Sequence, residues 1–224
     1  MLFRSAVTVK SSFANQGQIC LCGSRIYVAD TIAERFKKDF VEKVAELTVG
    51  NPLNDDTNLG ALVSKAHLEK VESYIASAKK EGGTILFGGN RVTVKDHEKG
   101  YYLQPTVIEV PNNKCKIQQE EVFGPVVTIM TFSSENEALR MANDVRYGLS
   151  ATLWTQDLDR SMRLSKQLEA GIVWVNTWLN RDLRTPFGGT KDSGVGREGG
   201  FEALRFFTEP KNVCISYQNL PNNS

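Results

Sequence analysis

Val126-Val127-Thr128-Ile129-Met130-Thr131-Phe132 is a run of apolar and β-branched residues, and Ser134 to Asn143 follows it almost at once. The run has the pattern of a buried strand. The segment after it reads as a helix, with Ser134 as its cap and Glu137 three residues on, the pattern of a capping box. The alternation then repeats. Leu149-Ser150-Ala151-Thr152-Leu153-Trp154 reads as a strand, Leu158 to Leu168 as a helix that stops near Gly171, and Ile172-Val173-Trp174-Val175-Asn176 as a further strand. Strands alternating with helices predict an α/β fold built on a mostly parallel sheet flanked by helices.

Upstream, Thr31 to Leu47 places Ile32, Phe36, Phe40, Val44 and Leu47 at spacings of three and four, with Asp30 as a plausible N-cap and Gly50-Asn51-Pro52 as a stop. Ser64 to Glu81 reads as a second helix with Leu68, Val71, Ile75 and Ala78 on one face, closed by Gly82-Gly83. Thr84-Ile85-Leu86-Phe87 is then a short strand. Downstream, the tail from Phe206 to Tyr217 alternates weakly through Val213, Ile215 and Tyr217 before a polar end.

The bulk properties exclude more than they assert. The 224 residues are 41% hydrophobic, enough to bury a real core, and the formal net charge of +1 calls for no nucleic acid and no membrane surface. No stretch approaches the roughly 18 consecutive apolar residues of a membrane helix. Of the four cysteines, Cys20 and Cys22 are poorly spaced for a mutual disulfide, and no Cys/His set completes a metal site beside the two histidines, His67 and His97. Thiols kept reduced in the cytoplasm are the expectation.

Three constellations carry chemistry. In Phe13-Ala14-Asn15-Gln16-Gly17-Gln18-Ile19-Cys20, a cysteine follows a polar, glycine-containing turn, a setting in which backbone N–H groups favour the thiolate. Spacing alone favours the commoner fate of a cysteine, burial in a core. Glu120-Glu121-Val122-Phe123-Gly124-Pro125-Val126 is, by itself, an acidic turn entering a strand. Pro186-Phe187-Gly188-Gly189-Thr190-Lys191-Asp192-Ser193-Gly194-Val195-Gly196-Arg197-Glu198 needs unusual backbone angles or close approach at its glycines. It lacks the strand-to-helix junction of a phosphate loop.

Together these blocks resemble the aldehyde dehydrogenase family. The first, continued by Leu21-Cys22-Gly23-Ser24-Arg25, is similar to the family's cysteine signature at every defined position. Gly60-Ala61-Leu62-Val63-Ser64 and Gly100-Tyr101-Tyr102-Leu103-Gln104-Pro105-Thr106-Val107 fit as well. The resemblance implies NAD (or NADP) as cofactor, a small-molecule aldehyde as substrate and Cys20 as nucleophile. It implies that Glu121 hydrogen-bonds the nicotinamide ribose, that Phe123 packs near the nicotinamide, and that Phe187 lines the substrate tunnel. It also implies a homo-oligomer in the full-length form, with a catalytic domain over residues 1–205 and a tail strand over 206–224 that pairs with a neighbouring subunit.

Thr177-Trp178-Leu179-Asn180-Arg181-Asp182-Leu183-Arg184-Thr185 narrows the substrate. It resembles the segment of family members that oxidise 2-aminomuconic and 2-hydroxymuconic semialdehydes. A guanidinium pairs bidentately with a carboxylate, so Arg181 is the expected partner of an aldehyde bearing a distal carboxylate. The other reading is that Arg181 and Arg184 make surface pairs with Asp182 or other acids. The family's nucleotide-binding domain, its general-base glutamate and its oxyanion asparagine have no counterpart in these residues. The chain therefore reads as a fragment, inactive alone. A non-catalytic assembly partner and a CoA-acylating semialdehyde dehydrogenase are the alternatives. A cysteine hydrolase would need a histidine base, and neither His67 on a surface helix nor His97 in a polar loop suits it.

Overall fold

Seven consecutive residues, Val126 to Phe132, form the axis of the fold. A computed structural model describes residues 2–216, with side chains from Ser5 onward. In chain order the elements are α1 (Leu2–Phe13), β1 (Arg25–Ala29), α2 (Asp30–Ala45), α3 (Lys65–Lys80), β2 (Thr84–Phe87), β3 (Thr106–Glu109), the single turn α4 (Lys116–Gln119), β4 (Val126–Phe132), α5 (Glu135–Asn143), β5 (Tyr147–Gly148), β6 (Ser150–Leu153), α6 (Leu158–Gln167), β7 (Ile172–Val175), β8 (Thr190–Lys191) and α7 (Gly200–Phe207). The main sheet has the order β1-β4-β3-β2. β4 is parallel to both of its neighbours, and only the edge strand β2 runs antiparallel. This is the mostly parallel, helix-flanked α/β sheet expected.

The two faces of β4 follow the period of two that a pleated strand imposes. Val127 and Ile129 pack against Val9 and Phe13 of α1 and Phe36, Phe40 and Val44 of α2. Val126 and Met130 face the other way, into Leu68, Val71, Ile75 and Ala78 of α3. Both faces of the sheet are thus covered, as a parallel sheet requires.

β6 and β7 pair in parallel, but as a separate two-stranded sheet. The expected alternation is present and its strands are divided between sheets. β4 is bonded on both sides, to β1 and to β3, and the outer edges of β1 and β2 take up neither β6 nor β7.

Several local expectations shift. Ala29 takes the cap position of α2, and Asp30 is its first residue, its carboxylate accepting from the Thr31 N–H at 2.6 Å. Ile32 points outward, 39% exposed, and Ala33 takes its place in the core. Ser64 caps α3 by accepting from the His67 N–H at 3.1 Å. At α5 half of the capping box forms, Ser134 Oγ accepting from the Glu137 N–H at 3.3 Å. The Glu137 carboxylate reaches back one residue further than the box prescribes, to the Ser133 N–H and hydroxyl, each at 2.8 Å. In the tail, Phe206 and Phe207 end α7, which crosses the 205/206 boundary drawn from sequence, and residues 208–216 form no regular element. Tyr217, the last residue of the expected tail strand, lies outside the described residues. No helix among the described residues is long and apolar enough to cross a membrane.

Phe40 is fully buried and stacks on both Phe13 and Phe36, with centroids 6.4 and 5.5 Å apart. Truncating a buried phenylalanine typically costs about 3–5 kcal/mol. Phe40→Ala is expected to lose stability on that scale in urea unfolding. A loss no larger than that of an exposed control such as Leu53→Ala would refute this account of the α1–α2 core.

Candidate active site

Cys20 stands on a loop whose two ends are pinned together. The Gly23 N–H donates to the Ser11 carbonyl at 3.1 Å, and Ser12 Oγ donates to the Gly23 carbonyl at 3.0 Å. Between these pins α1 ends, and Asn15, Gln16 and Gly17 all take left-handed backbone angles, φ 49°, 58° and 69°. Two of the three are not glycine, so the conformation must be held from outside. The Gln18 N–H donates to the Asn15 carbonyl at 3.0 Å, and the Asn15 side chain donates to the Gln18 carbonyl at 3.2 Å. Gln16 donates to the Ala61 carbonyl and Gln18 accepts from the Val63 N–H, both at 3.2 Å. The tight turn leaves Cys20 exposed at the tip. Its backbone N–H makes no backbone hydrogen bond among the described residues.

Cys22 is a different thiol. Burial pushes it up to about 11, against the opposing effect of a backbone hydrogen bond at Ile19. Its Sγ lies 3.7 Å from the Ala14 carbonyl. That environment is one of packing beside the Cys20 loop.

The second constellation meets the first through backbone. Gly17 lies so close to Gly124 that a Cβ on it would sit 2.0 Å from the Gly124 carbonyl oxygen. On its other side Gly124 is backed by Val71, which a Cβ on Gly124 would meet at 2.7 Å. Glu121 is exposed, with its carboxylate unpaired among the described residues, and Phe123 is 36% exposed at φ 57°. Burial first, and then a 2.7 Å hydrogen bond to the Glu120 carboxylate, push the Tyr74 phenol up to about 12, so Tyr74 stays the donor that steadies the start of the motif.

The third constellation arrives through tryptophan. Trp178 is buried and donates its indole N–H to the Leu21 carbonyl at 2.9 Å, one residue beyond Cys20. Trp174 donates to the Asn180 carbonyl at 3.1 Å. Leu21, Trp174 and Trp178 form a cluster against which Ile19 and Phe187 pack. Phe187 is held by a reciprocal backbone pair with Glu198, at 2.7 and 2.8 Å. The Arg181 guanidinium lies over the Phe187 ring, 4.0 Å from its centroid, and its contact with Glu198 is a loose 3.9 Å. Arg184 behaves otherwise: it is 88% exposed and tied to Asp182 at 2.5 Å, and that bond holds the Asp182 carboxyl below its ordinary range.

Cys20, Phe123 and Phe187 thus sit on segments that touch, with Glu121 beside Phe123 and Arg181 stacked on Phe187. The two tryptophans were missed in the sequence reading, which weighed only the charges of residues 177–185. The available signal was chemical: a buried indole needs an acceptor, so tryptophans flanking a polar segment tie it to something. No hydrogen bond joins Cys20 to a histidine among the described residues, and His67 Nε2 is engaged by the Phe123 carbonyl instead. Nor does any group of three or more His, Cys, Asp or Glu among them offer a metal site.

Alkylation of the folded chain by iodoacetamide near neutral pH is expected to mark the exposed Cys20 and Cys214 and to spare Cys22 and Cys115, as peptide mass mapping would show. The Cys22 rate is expected to climb only as pH approaches its raised value of about 11. Equal labelling of Cys20 and Cys22 at neutral pH would contradict this geometry.

Residues 4–213 match the aldehyde dehydrogenase family. The 2-aminomuconic semialdehyde dehydrogenase of Mus musculus is 48% identical over 213 residues, which are 94% of this chain and 44% of that protein. A 2-aminomuconic 6-semialdehyde dehydrogenase of a Pseudomonas species is 45% identical over 92% of this chain and 42% of its own length. Among solved structures, HpcC of Thermus thermophilus superposes with a TM-score of 0.90 at 40% identity, over 96% of this chain and 44% of that one. Betaine aldehyde dehydrogenase of Staphylococcus aureus, solved in complex with NAD+, superposes with a TM-score of 0.88 at 38% identity, over 92% and 41%. The chain spans less than half the length of these relatives, and it belongs to the aldehyde dehydrogenase family.

Proposed function

We propose that this chain carries the nucleophile, part of the nicotinamide subsite and the substrate-selecting segment of an NAD-dependent aldehyde dehydrogenase. The substrate is a carboxylate-bearing semialdehyde of the 2-aminomuconic type, and the product is the corresponding acid. The observation that carries this reading is the convergence on one loop: Gly17 abuts Gly124 on one side of Cys20, and Leu21 accepts from Trp178 on the other.

The residues fit the cofactor. Glu121 presents an unpaired carboxylate, an acceptor for two ribose hydroxyls, and Phe123 presents a partly exposed ring to the flat face of a nicotinamide. NAD, when bound, supplies the hydride acceptor, and the NAD+ complex of the Staphylococcus aureus relative supports that choice of cofactor. The Cys20 thiolate adds to the aldehyde carbon, and the carbonyl oxygen, gaining negative charge, is met by the free Cys20 N–H. Loss of hydride from that carbon leaves a thioester on Cys20. Water then cleaves the C–S bond, giving the carboxylic acid and returning the thiol. The general base, the second oxyanion donor and most of the nucleotide-binding surface come from outside residues 1–224. Arg181 holds the distal carboxylate: its side chain is 29% exposed and meets Glu198 only loosely, so its donors are available, whereas two of the three Arg184 nitrogens already donate to Asp182. In the full-length form we place the protein in the cytoplasm as a homo-oligomer, with Val213 and Ile215, both exposed here, on the strand given to a neighbouring subunit.

Two experiments test this. Purified residues 1–224, and the same residues joined behind the N-terminal part of the mouse relative, are each given NAD and a muconic-type semialdehyde. Only the joined form is expected to make NADH, and Cys20→Ala is expected to abolish it. Turnover by residues 1–224 alone would overturn the assignment of base and cofactor surface. In the joined form, Arg181→Ala is expected to raise KM for the acidic aldehyde by about 10- to 100-fold, the scale of a lost charge-assisted bond. KM for a neutral aldehyde is expected to stay within about twofold, the control for any disturbance of Phe187. A larger effect from Arg184→Ala would reverse the two arginines' roles.

A further inference from the structure

One face of α3 sends three polar side chains to a single loop. His67 Nε2 meets the Phe123 carbonyl at 2.6 Å, Lys70 Nζ donates to the Glu121 carbonyl at 3.1 Å, and Tyr74 donates to Glu120 Oε2 at 2.7 Å. Their spacing of three and four puts them in one row along the helix. Two of the three bonds end on the backbone of the residues proposed to meet the cofactor. A carbonyl only accepts, so His67 Nε2 carries the proton of its bond. The imidazole also stands edge-on to the Phe123 ring, with centroids 6.5 Å apart and planes at 73°.

Phe123 needs such a hold. At φ 57° it lies in the left-handed region that a residue with a side chain disfavours, and it is followed by a glycine whose position Gly17 and Val71 dictate. Without a bond on its carbonyl, the 122–123 segment relaxes toward ordinary angles and its ring swings away. The helix itself does not depend on His67: Leu68, Val71, Ile75 and Ala78 seat it in the core, and Ser64 caps it. Resting on the reading that Glu121 and Phe123 meet NAD, we propose that His67 is a positioning residue that sets cofactor affinity by holding the Phe123 backbone, and not a base for Cys20.

The test uses three forms: wild type, His67→Ala, and His67→Gln, whose amide can donate over a similar reach. Hydrogen exchange of the 120–126 peptide in residues 1–224, without NAD, is expected to speed up in His67→Ala, with exchange in β4 and α3 unchanged. Kinetics of the form joined to the mouse relative's N-terminal part are expected to show KM for NAD raised about tenfold in His67→Ala, the worth of one hydrogen bond. KM for the aldehyde and the alkylation rate of Cys20 are expected to stay within about twofold, and His67→Gln is expected to recover most of the loss. Unchanged exchange and unchanged KM for NAD in His67→Ala would overturn the proposal, as would a loss in His67→Gln as large as in His67→Ala. If the wild type makes no NADH with any aldehyde, the reading of the cofactor subsite falls, and the exchange result still decides whether His67 holds Phe123.

Discussion

The close approach of Gly17 to Gly124 is the constraint around which the site is built. Two backbones meet where a single methyl group would lie 2.0 Å from a carbonyl oxygen. Such contact demands glycine on the approaching side, and it demands the left-handed angles of Asn15, Gln16 and Gly17 that deliver the backbone there. Those angles oppose the local preference of asparagine and glutamine. They persist because the Ser11–Gly23 and Ser12–Gly23 bonds close the loop and the strap at residues 61–63 holds both glutamine side chains.

The contacts then form a circuit. The strap runs through the Ser64 cap into α3, and α3 divides its surface between two tasks. Leu68, Ile75 and Ala78 bury the helix against the sheet, while His67, Lys70 and Tyr74 hold the loop at residues 120–123. Val71 belongs to both, buried in the core and backing Gly124. From Gly124 the circuit returns to Gly17. A rigid element thus supports each exposed group, the arrangement a site needs if it is to hold geometry without covering its reactive atoms.

On the far side of Cys20 the support is of another kind. Trp178 ties an otherwise charged, exposed segment to Leu21, the residue after Cys20, Trp174 bonds the same segment at Asn180, and Arg181 lies flat on Phe187. The two arginines of this segment differ by three positions and by little in composition. Their environments separate them: Arg184 closes a bidentate pair with its neighbour Asp182, while Arg181 rests on an aromatic face with only a loose acid contact.

Sequence by itself determined the elements whose signals are local. The β-branched run of β4, the apolar row Leu68-Val71-Ile75-Ala78 of α3, the serine cap at Ser134, and the family's motifs all depend on neighbours a few residues away, which periodicity and side-chain chemistry report. β1 and β3 were not drawn as strands, because their meaning lies in pairing with β4, far along the chain. Likewise the sequence read Cys20 as a candidate and, on spacing alone, favoured its burial. Only the tertiary structure exposed it, by bringing Gly124 against Gly17 and Trp178 against Leu21 across separations of more than 100 residues. It also turned His67 from a surface histidine into the anchor of Phe123. Contacts of that kind arise from how packed elements meet, and no local propensity encodes where two backbones will touch.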